Sequence, residues 1–587
     1  MTRRLVVAAL LAVTTVLVVA SPAEAHAQLV TTNPRAGEQL NRAPEVITLE
    51  FSEPVEVSLG SIRVYNSRGD LVDAGEPTHP DGDESVVQLA LPDLDDDGYV
   101  TTWRVLSADA HPVQGAFTFR IGDVAAGNLD SLAARLLTDQ GGSTSVGALY
   151  GFTRFAVFAS LALLIGGAAF AVLVWPGGRE SRTVARVVWS AWGVLAVATV
   201  AGILLQGLYT AALPLGDIFD TDVIRDTLGT RFGKVWLARL GLLVLAIPLL
   251  RLLLSKRPRA EYPLPSWWAP ASIVVGGALA FTPGLAGHAS SGDLVPLAIP
   301  ADAIHVAAMS LWLGGLVFLL AAVLPSRNLD DLRDAVPRYS ELALWCIVAL
   351  IVTGGFQSWR QVGSLDALRD TDYGRLLVIK LVAFAALLVM ATFSREVVNR
   401  TFRRVPAPAP AAPVPVAAGG VALADAPPDA EAEVNEEPID EASEARRLRW
   451  SVAVEVGIAV VILAVTALLV NAAPARDEQT GPFTTTLTGD GMNFDVIVSP
   501  AEIGRNDLHV TAVTPSGGPS EVINMDARLS LPSREIAPIK LSMRRLGPGH
   551  YVAPGADIPI AGDWQLEVGA LVSQTDEVRA TGSIPIK

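Results

Sequence analysis

Eight apolar runs constrain this chain more than anything else in it: 149–175, 187–213, 235–254, 267–286, 298–324, 341–359, 375–394 and 450–473. Each is close to the roughly 20 residues that an α-helix needs to cross the hydrocarbon core of a bilayer. In lipid a backbone must satisfy its own hydrogen bonds, so a bundle of eight membrane helices is expected. The loops set its orientation. Arg179, Arg182 and Arg186; Arg251, Lys256, Arg257 and Arg259; Arg327, Arg333 and Arg338; and Arg395, Arg400, Arg403 and Arg404 fall in four alternate loops. The opposite loops, such as GDIFDTDVIRDTLGT and GSLDALRDTDYG, are acidic or mixed. The positive-inside rule therefore places the arginine-rich loops in the cytoplasm and the segments flanking the bundle outside.

Those flanking segments read as β structure. Residues 1–25 have Arg3 and Arg4, an apolar stretch from Leu5 to Ala20, and small residues at Ala23 and Ala25, the pattern of a secretory signal. Cleavage there would make His26 the first residue. Residues 26–124 contain short alternating runs such as VITLEF and GYVTTWRVLS between Gly, Pro, Asn and Asp turns, the pattern of an antiparallel sandwich or barrel. A linker is expected over 125–148, spans 1–7 over 149–402, a disordered Pro/Ala-rich and acidic cytoplasmic linker over 403–448, span 8 over 449–474 and a second exported β-sandwich over 478–587. The single cysteine, Cys346, excludes an intramolecular disulfide and a thiolate cluster. A net charge of -16 argues against a nucleic-acid partner.

Without thiolates, any metal site must use imidazole, thioether, carboxylate or amine. An N-terminal histidine offers its α-amine and ring nitrogen together. Asp109 and His111 are one residue apart, and on an extended strand they would share a face. His26, Asp109 and His111 then make an N/O ligand set suited to Cu(II). His79, in PTHPDGD, reads as a solvated loop residue. Within the spans, Arg154, Gln206, Arg239, Asp302, His305, Gln357 and Lys380 all fall toward the outer side, which implies a polar vestibule. The alternative for the charged ones is structural pairing, for example of Asp302 with Arg239 or Lys380. Glu455 lies near an inner end, where snorkelling is the simplest account. Asp302, His305 and Met309 follow i, i+3, i+7 spacing and share a helix face, with His288 just past the outer end of span 4. Imidazole and thioether there could hand on copper, the thioether favouring Cu(I). His509, His550, Met492, Met525 and Met543 show no short ligand spacing, so no metal site is expected near the C-terminus.

At HAQLVTTNPRAGEQLNRAPEVITLEFSEPVE and WRVLSADAHPVQGAFTFRIG the sequence resembles the periplasmic copper-binding CopC family. The resemblance implies an Ig-like or cupredoxin-like sandwich holding Cu(II) in a histidine brace, at positions matching His26, Asp109 and His111. No methionine lies between His26 and Ala148, so the Met-rich Cu(I) site of some relatives is not expected. Residues 150–400 resemble the CopD membrane family in GHAS around His288, D-x-x-H followed by WLGGL, FGKVWLARL, and GRLLVIKL around Lys380. The C-terminal segment is similar to YtkA-like or FixH-like modules. Together these imply a CopC/CopD fusion of the YcnJ type, a multi-pass plasma-membrane protein rather than an enzyme. The expected function is copper import along His288, Asp302, His305, Met309 and Lys380. Its expected partners are copper ions, membrane lipid, and a copper chaperone or oxidase-assembly protein. No Walker or P-type motif is present, so an inside-negative potential would contribute about 2.3 kcal/mol per charge per 100 mV. The competing readings are a copper- or haem-dependent redox protein and an exported copper buffer with a membrane anchor.

Overall fold

A computed structural model describes residues 27, 29–108, 110–122, 124, 129–139, 143–255, 263–292, 294–326, 328–401, 441–475, 483–499, 501, 503–514, 520–547, 549–573 and 575–586. The proposed signal segment, His26, Asp109 and most of the 403–448 linker lie outside the described residues.

The N-terminal domain is a two-sheet sandwich. Strands β1 (Leu29–Asn33), β3 (Val46–Phe51) and β5 (Val86–Ala90) form one sheet in the order β1-β3-β5. The facing sheet, β2-β7-β6-β4, is built from Glu38–Leu40, Pro112–Ile121, Gly98–Ser107 and Val55–Asn66. Alternation drives this packing: Ile47, Leu49, Val87 and Leu89 point inward from one sheet and meet Val64, Val105 and Phe119 from the other. Tyr99 stacks on Phe119 with ring centroids 5.3 Å apart. The expected linker is partly helical. Helix α1 (Leu129–Asp139) packs on β6 and β7, with the Leu129 side chain seated against Gly98.

Among the described residues, eight helices are long and apolar enough to cross a membrane: Thr144–Val174, Arg182–Ala211, Arg231–Leu253, Trp268–Leu285, Val295–Ser326, Asp330–Val362, Asp372–Glu396 and Arg446–Leu469, spans 1 to 8 below. Span 8 belongs to a longer helix that begins at Glu441, inside the expected linker. Spans 1 and 5 cross backbone to backbone. A Cβ on Gly166 would run into the Ser310 carbonyl oxygen, and one on Gly314 would run into that of Ala162. Small residues at a crossing let helices approach this closely where lipid supplies no hydrophobic drive. At the end of the bundle away from the N-terminal sandwich, Glu455 does not snorkel. It is buried and accepts a hydrogen bond from the Ser394 hydroxyl, which also bonds Ser451.

The C-terminal domain is a second sandwich. One sheet, β13-β14-β10-β9-β8, comprises Arg544–Gly547, His550–Ile558, Gly504–Val513, Asn493–Ser499 and Phe483–Thr488. The other, β12-β11-β15-β16, comprises Ile536–Leu541, Asn524–Leu531, Gly562–Leu571 and Glu577–Ile586. Phe494, Leu508, Val510, Trp564 and Val568 fill the space between them. The chain enters this domain from the same end of the bundle on which the N-terminal sandwich docks.

Candidate metal centre and membrane cavity

The tip of the β6–β7 hairpin organises the junction. Strand β6 ends at Ser107 and β7 starts at Pro112, so Ala108, Ala110 and His111 lie in the connection between the two strands. Ser107 N–H donates to the His111 carbonyl, Ala110 N–H donates to the Ser107 carbonyl, and Ala110 has φ 68°. A left-handed conformation at a residue with a Cβ is costly and persists only where surrounding contacts enforce it. Those contacts come from the bundle. Gln206 Nε2 of span 2 donates to the Ala110 carbonyl at 3.0 Å, and Ser290 Oγ donates to that of Ala108 at 3.4 Å. Beside the tip, Arg104 caps the end of span 2, donating to the carbonyls of Thr210 and Tyr209 at 2.5 and 3.1 Å. A guanidinium at a helix C-terminus satisfies orphan carbonyls and complements the dipole. Glu56 does the reverse for span 3, accepting the Arg231 N–H at 3.0 Å.

This docking buries His111. Its Nε2 lies 2.9 Å from the carbonyl oxygen of Val470, at the end of span 8. A carbonyl only accepts, so Nε2 carries a proton. The His111 ring lies parallel to that of His288, with centroids 4.6 Å apart and planes 8° from parallel. His288 is itself buried, in the turn after span 4, and Arg360 holds that turn by donating to the carbonyls of His288 and Ser291.

Behind the histidine pair lies a cavity of about 640 Å³. Its walls include all five residues of the expected path, His288, Asp302, His305, Met309 and Lys380, together with Trp312 and Phe384. Thr353 Oγ1 donates to the Ala349 carbonyl at 2.7 Å, so it accepts from His305 Nδ1 at 2.9 Å. His305 therefore keeps its Nε2 lone pair. A hydrogen bond of this kind to one ring nitrogen fixes which of the two can coordinate a metal. Asp302 packs against Gly284, where an added Cβ would lie 2.7 Å from Oδ2. Lys380 and Arg360 act electrostatically on Asp302, although no Asp302 ion pair within 4.0 Å forms among the described residues. Lys380 also acts electrostatically on His305.

Arg239 and Arg154 are absent from the cavity walls, contrary to a single outward polar cluster. Arg239 does not pair with Asp302. It donates from Nε to Thr282 Oγ1 at 2.8 Å and lies over the Trp236 ring at 4.3 Å. Arg154 donates to the Val470 carbonyl at 2.7 Å and to Tyr150 Oη at 2.8 Å, and Tyr150 in turn donates to Gln206. Sequence reasoning missed Arg104, Ser290 and Thr353, which nothing in the local pattern separates from ordinary polar residues. It also misplaced two kinds of histidine. His79 is tied to the Val86 carbonyl at 2.8 Å rather than solvated, and His509 and His550, remote in sequence, lie side by side with nitrogens 3.2 Å apart. Burial, together with the charges of His509 and of Arg120 in the N-terminal sandwich, pushes His550 down to about 4.

Comparison with known proteins accounts for four parts of the chain. Residues 29–122 match the CopC domain, 143–296 the N-terminal domain of copper resistance protein D-like proteins, 333–426 copper resistance protein D, and 488–584 FixH. The chain belongs to the CopC/CopD copper-resistance fusions. This fusion is 28% identical over 374 residues to the copper transport protein CutJ of Bacillus subtilis, spanning 62% of this chain and 67% of that protein. It is 32% identical over 112 residues to protein YobA of Escherichia coli, covering 19% of this chain and 90% of YobA. Among solved structures, CopC from Methylosinus trichosporium OB3b is 31% identical, covering 16% of this chain and 93% of that one, with a TM-score of 0.16. PcoC from Escherichia coli, described as a methionine-rich copper resistance protein, is 27% identical over 16% of this chain and 99% of its own, with a TM-score of 0.15. The fusion is accordingly a multi-pass membrane protein with copper-handling domains, and its relatives point to copper transport and resistance rather than catalysis.

Proposed function

We propose that the fusion imports copper: Cu(II) is captured outside the membrane at His26, Asp109 and His111, and copper then passes into the cavity at His288, His305 and Met309. The observation that carries this reading is the parallel stack of His111 on His288, a residue of the cavity wall. A residue of the capture set and a residue of the membrane path are already in contact, so copper changes ligands without crossing bulk water. Neutral imidazole and thioether suit this exchange, because they bind copper without adding a buried charge. His305, held by Thr353 with Nε2 available, is the next donor inward. The arginine-rich loops support placing both sandwiches outside the plasma membrane, with a copper chaperone or an oxidase-assembly protein as the client.

Copper uptake into proteoliposomes tests the proposal. Wild type should load copper, His305→Ala should abolish loading, and either His111→Ala or one extra residue before His26 should slow it at low copper. Vesicles that load no more than empty ones would overturn import. Copper still bound in that case would favour the buffer, and a b-type haem spectrum would favour the redox protein.

A further inference from the structure

The C-terminal sandwich brings together two histidines that neither the capture set nor the cavity uses. Strand β10 pairs with β14 so that Val552 faces His509 and Thr511 faces His550, which sets the imidazoles diagonally on one face. Leu508, Val510, Tyr551 and Ala553 point the other way, into the core of the sandwich. Val552 is only 5% exposed yet lies outside that core, so its face of the sheet is covered from elsewhere. The N-terminal sandwich lies beside this part of the sheet. Strand β13 abuts β2, and Arg120 of β7 lies close enough to act on His550.

His509 Nδ1 and His550 Nε2 are 3.2 Å apart, with ring planes 34° from parallel. Two nitrogens bound at about 2.0–2.1 Å to one tetrahedral ion lie about 3.3–3.4 Å apart, so small ring rotations would let a single ion replace the hydrogen bond. A linear two-coordinate ion would hold them about 4 Å apart, which the present spacing does not match. We propose that His509 and His550 form a second copper site, a two-imidazole half-site at the seam between the exported sandwiches that takes Cu(I). Imidazole pairs suit copper, and the Arg120 charge makes a dication costlier there than a monocation. Among the described residues no further His, Cys, Asp or Glu completes the set. A coordination position therefore stays open for a donor from the molecule that brings or removes the ion, which suits exchange better than storage. The choice of copper rests on the copper-handling reading above, whereas the site itself is independent of transport.

The test is an anaerobic Cu(I) titration of the full-length chain in detergent against a chromophoric competitor. His509→Asn and His550→Asn keep hydrogen-bonding side chains but remove the imidazoles. Each should lose one copper equivalent or weaken it at least a hundredfold, and the same loss should appear in a His111→Ala background. Unchanged stoichiometry and affinity in both variants would overturn the site, and an equivalent that accepts Zn(II) but no Cu(I) would overturn the copper assignment. X-ray absorption of the copper-loaded His111→Ala/His305→Ala chain, with the C-terminal domain intact, supplies a check that does not depend on how the Asn variants fold. Two imidazoles on the remaining copper are expected, and none would overturn the site. Failed uptake by wild type with this equivalent retained would count against import alone.

Discussion

Two groups of ionisable residues sit in the half of the bundle nearer the N-terminal sandwich, and they differ in what surrounds them. Arg154 and Arg239 are packed against partners: Tyr150, Thr282, the Trp236 ring and the Val470 carbonyl. Asp302, His305 and Lys380 face an open cavity of about 640 Å³. The first group carries the architecture of the docking interface, because Arg154 shares the Val470 carbonyl with His111 and reaches Gln206 through Tyr150. The second has unused coordination capacity. A polar group walled off by packing, as both arginines are, serves the fold even where an atom such as Arg239 Nη1 has no hydrogen-bond partner among the described residues, whereas one facing a cavity remains for a ligand.

Substitutions can break or sharpen that contrast. The largest effect is expected in the packed group. Arg154→Met removes two charge-assisted hydrogen bonds and should destabilise the chain by roughly 3–5 kcal/mol, while uptake per folded molecule persists. Thermal unfolding in detergent alongside uptake measures both, and a variant that keeps its stability but loses uptake would merge the two groups. Next comes His305→Ala, which should lower uptake by at least about a hundredfold, beyond the 10–100-fold cost of losing an outer-shell partner of a metal ligand. Its melting temperature should barely change, since the ring lines an open space. Gly284→Ala is a milder perturbation of the same cavity. Its methyl group would push Asp302 aside, an overpacking of about 1–3 kcal/mol that should appear as roughly tenfold slower uptake.

The smallest effect concerns the docking contact itself. Burial holds the Glu56 carboxyl above its usual 4.5, with the Arg231 N–H and Lys234 partly offsetting it. A raised carboxyl favours the folded state most below its unfolded value, and that contribution is lost as pH rises through the folded value. Glu56→Gln accepts the same N–H without the charge. It should flatten this pH dependence and change stability by under about 1 kcal/mol at pH 7, which melting curves at several pH values would show.

Much of this architecture is legible in the amino-acid sequence. The eight spans follow from run length, and the two sandwiches from alternation between turns. Asp302, His305 and Met309 can be found because a helix converts i, i+3, i+7 spacing directly into one face. The conformation at Ala110 could not be read locally, since packing against the bundle holds that residue in a left-handed turn. Glu455 misleads: position near a helix end suggests snorkelling, but Ser394 from span 7 supplies a partner that no local pattern announces.

The sequence by itself determined how often the chain crosses the membrane, which loops carry positive charge, and which side chains could ligate copper, because hydrophobicity and charge bias accumulate residue by residue along the chain. Only the tertiary structure decided that His111 stacks on His288, that His509 meets His550, and that Arg239 is walled off while Lys380 is not. Those outcomes depend on how separate helices and strands fill space around one another. A cavity is the volume their side chains leave empty, and no single stretch of sequence encodes it.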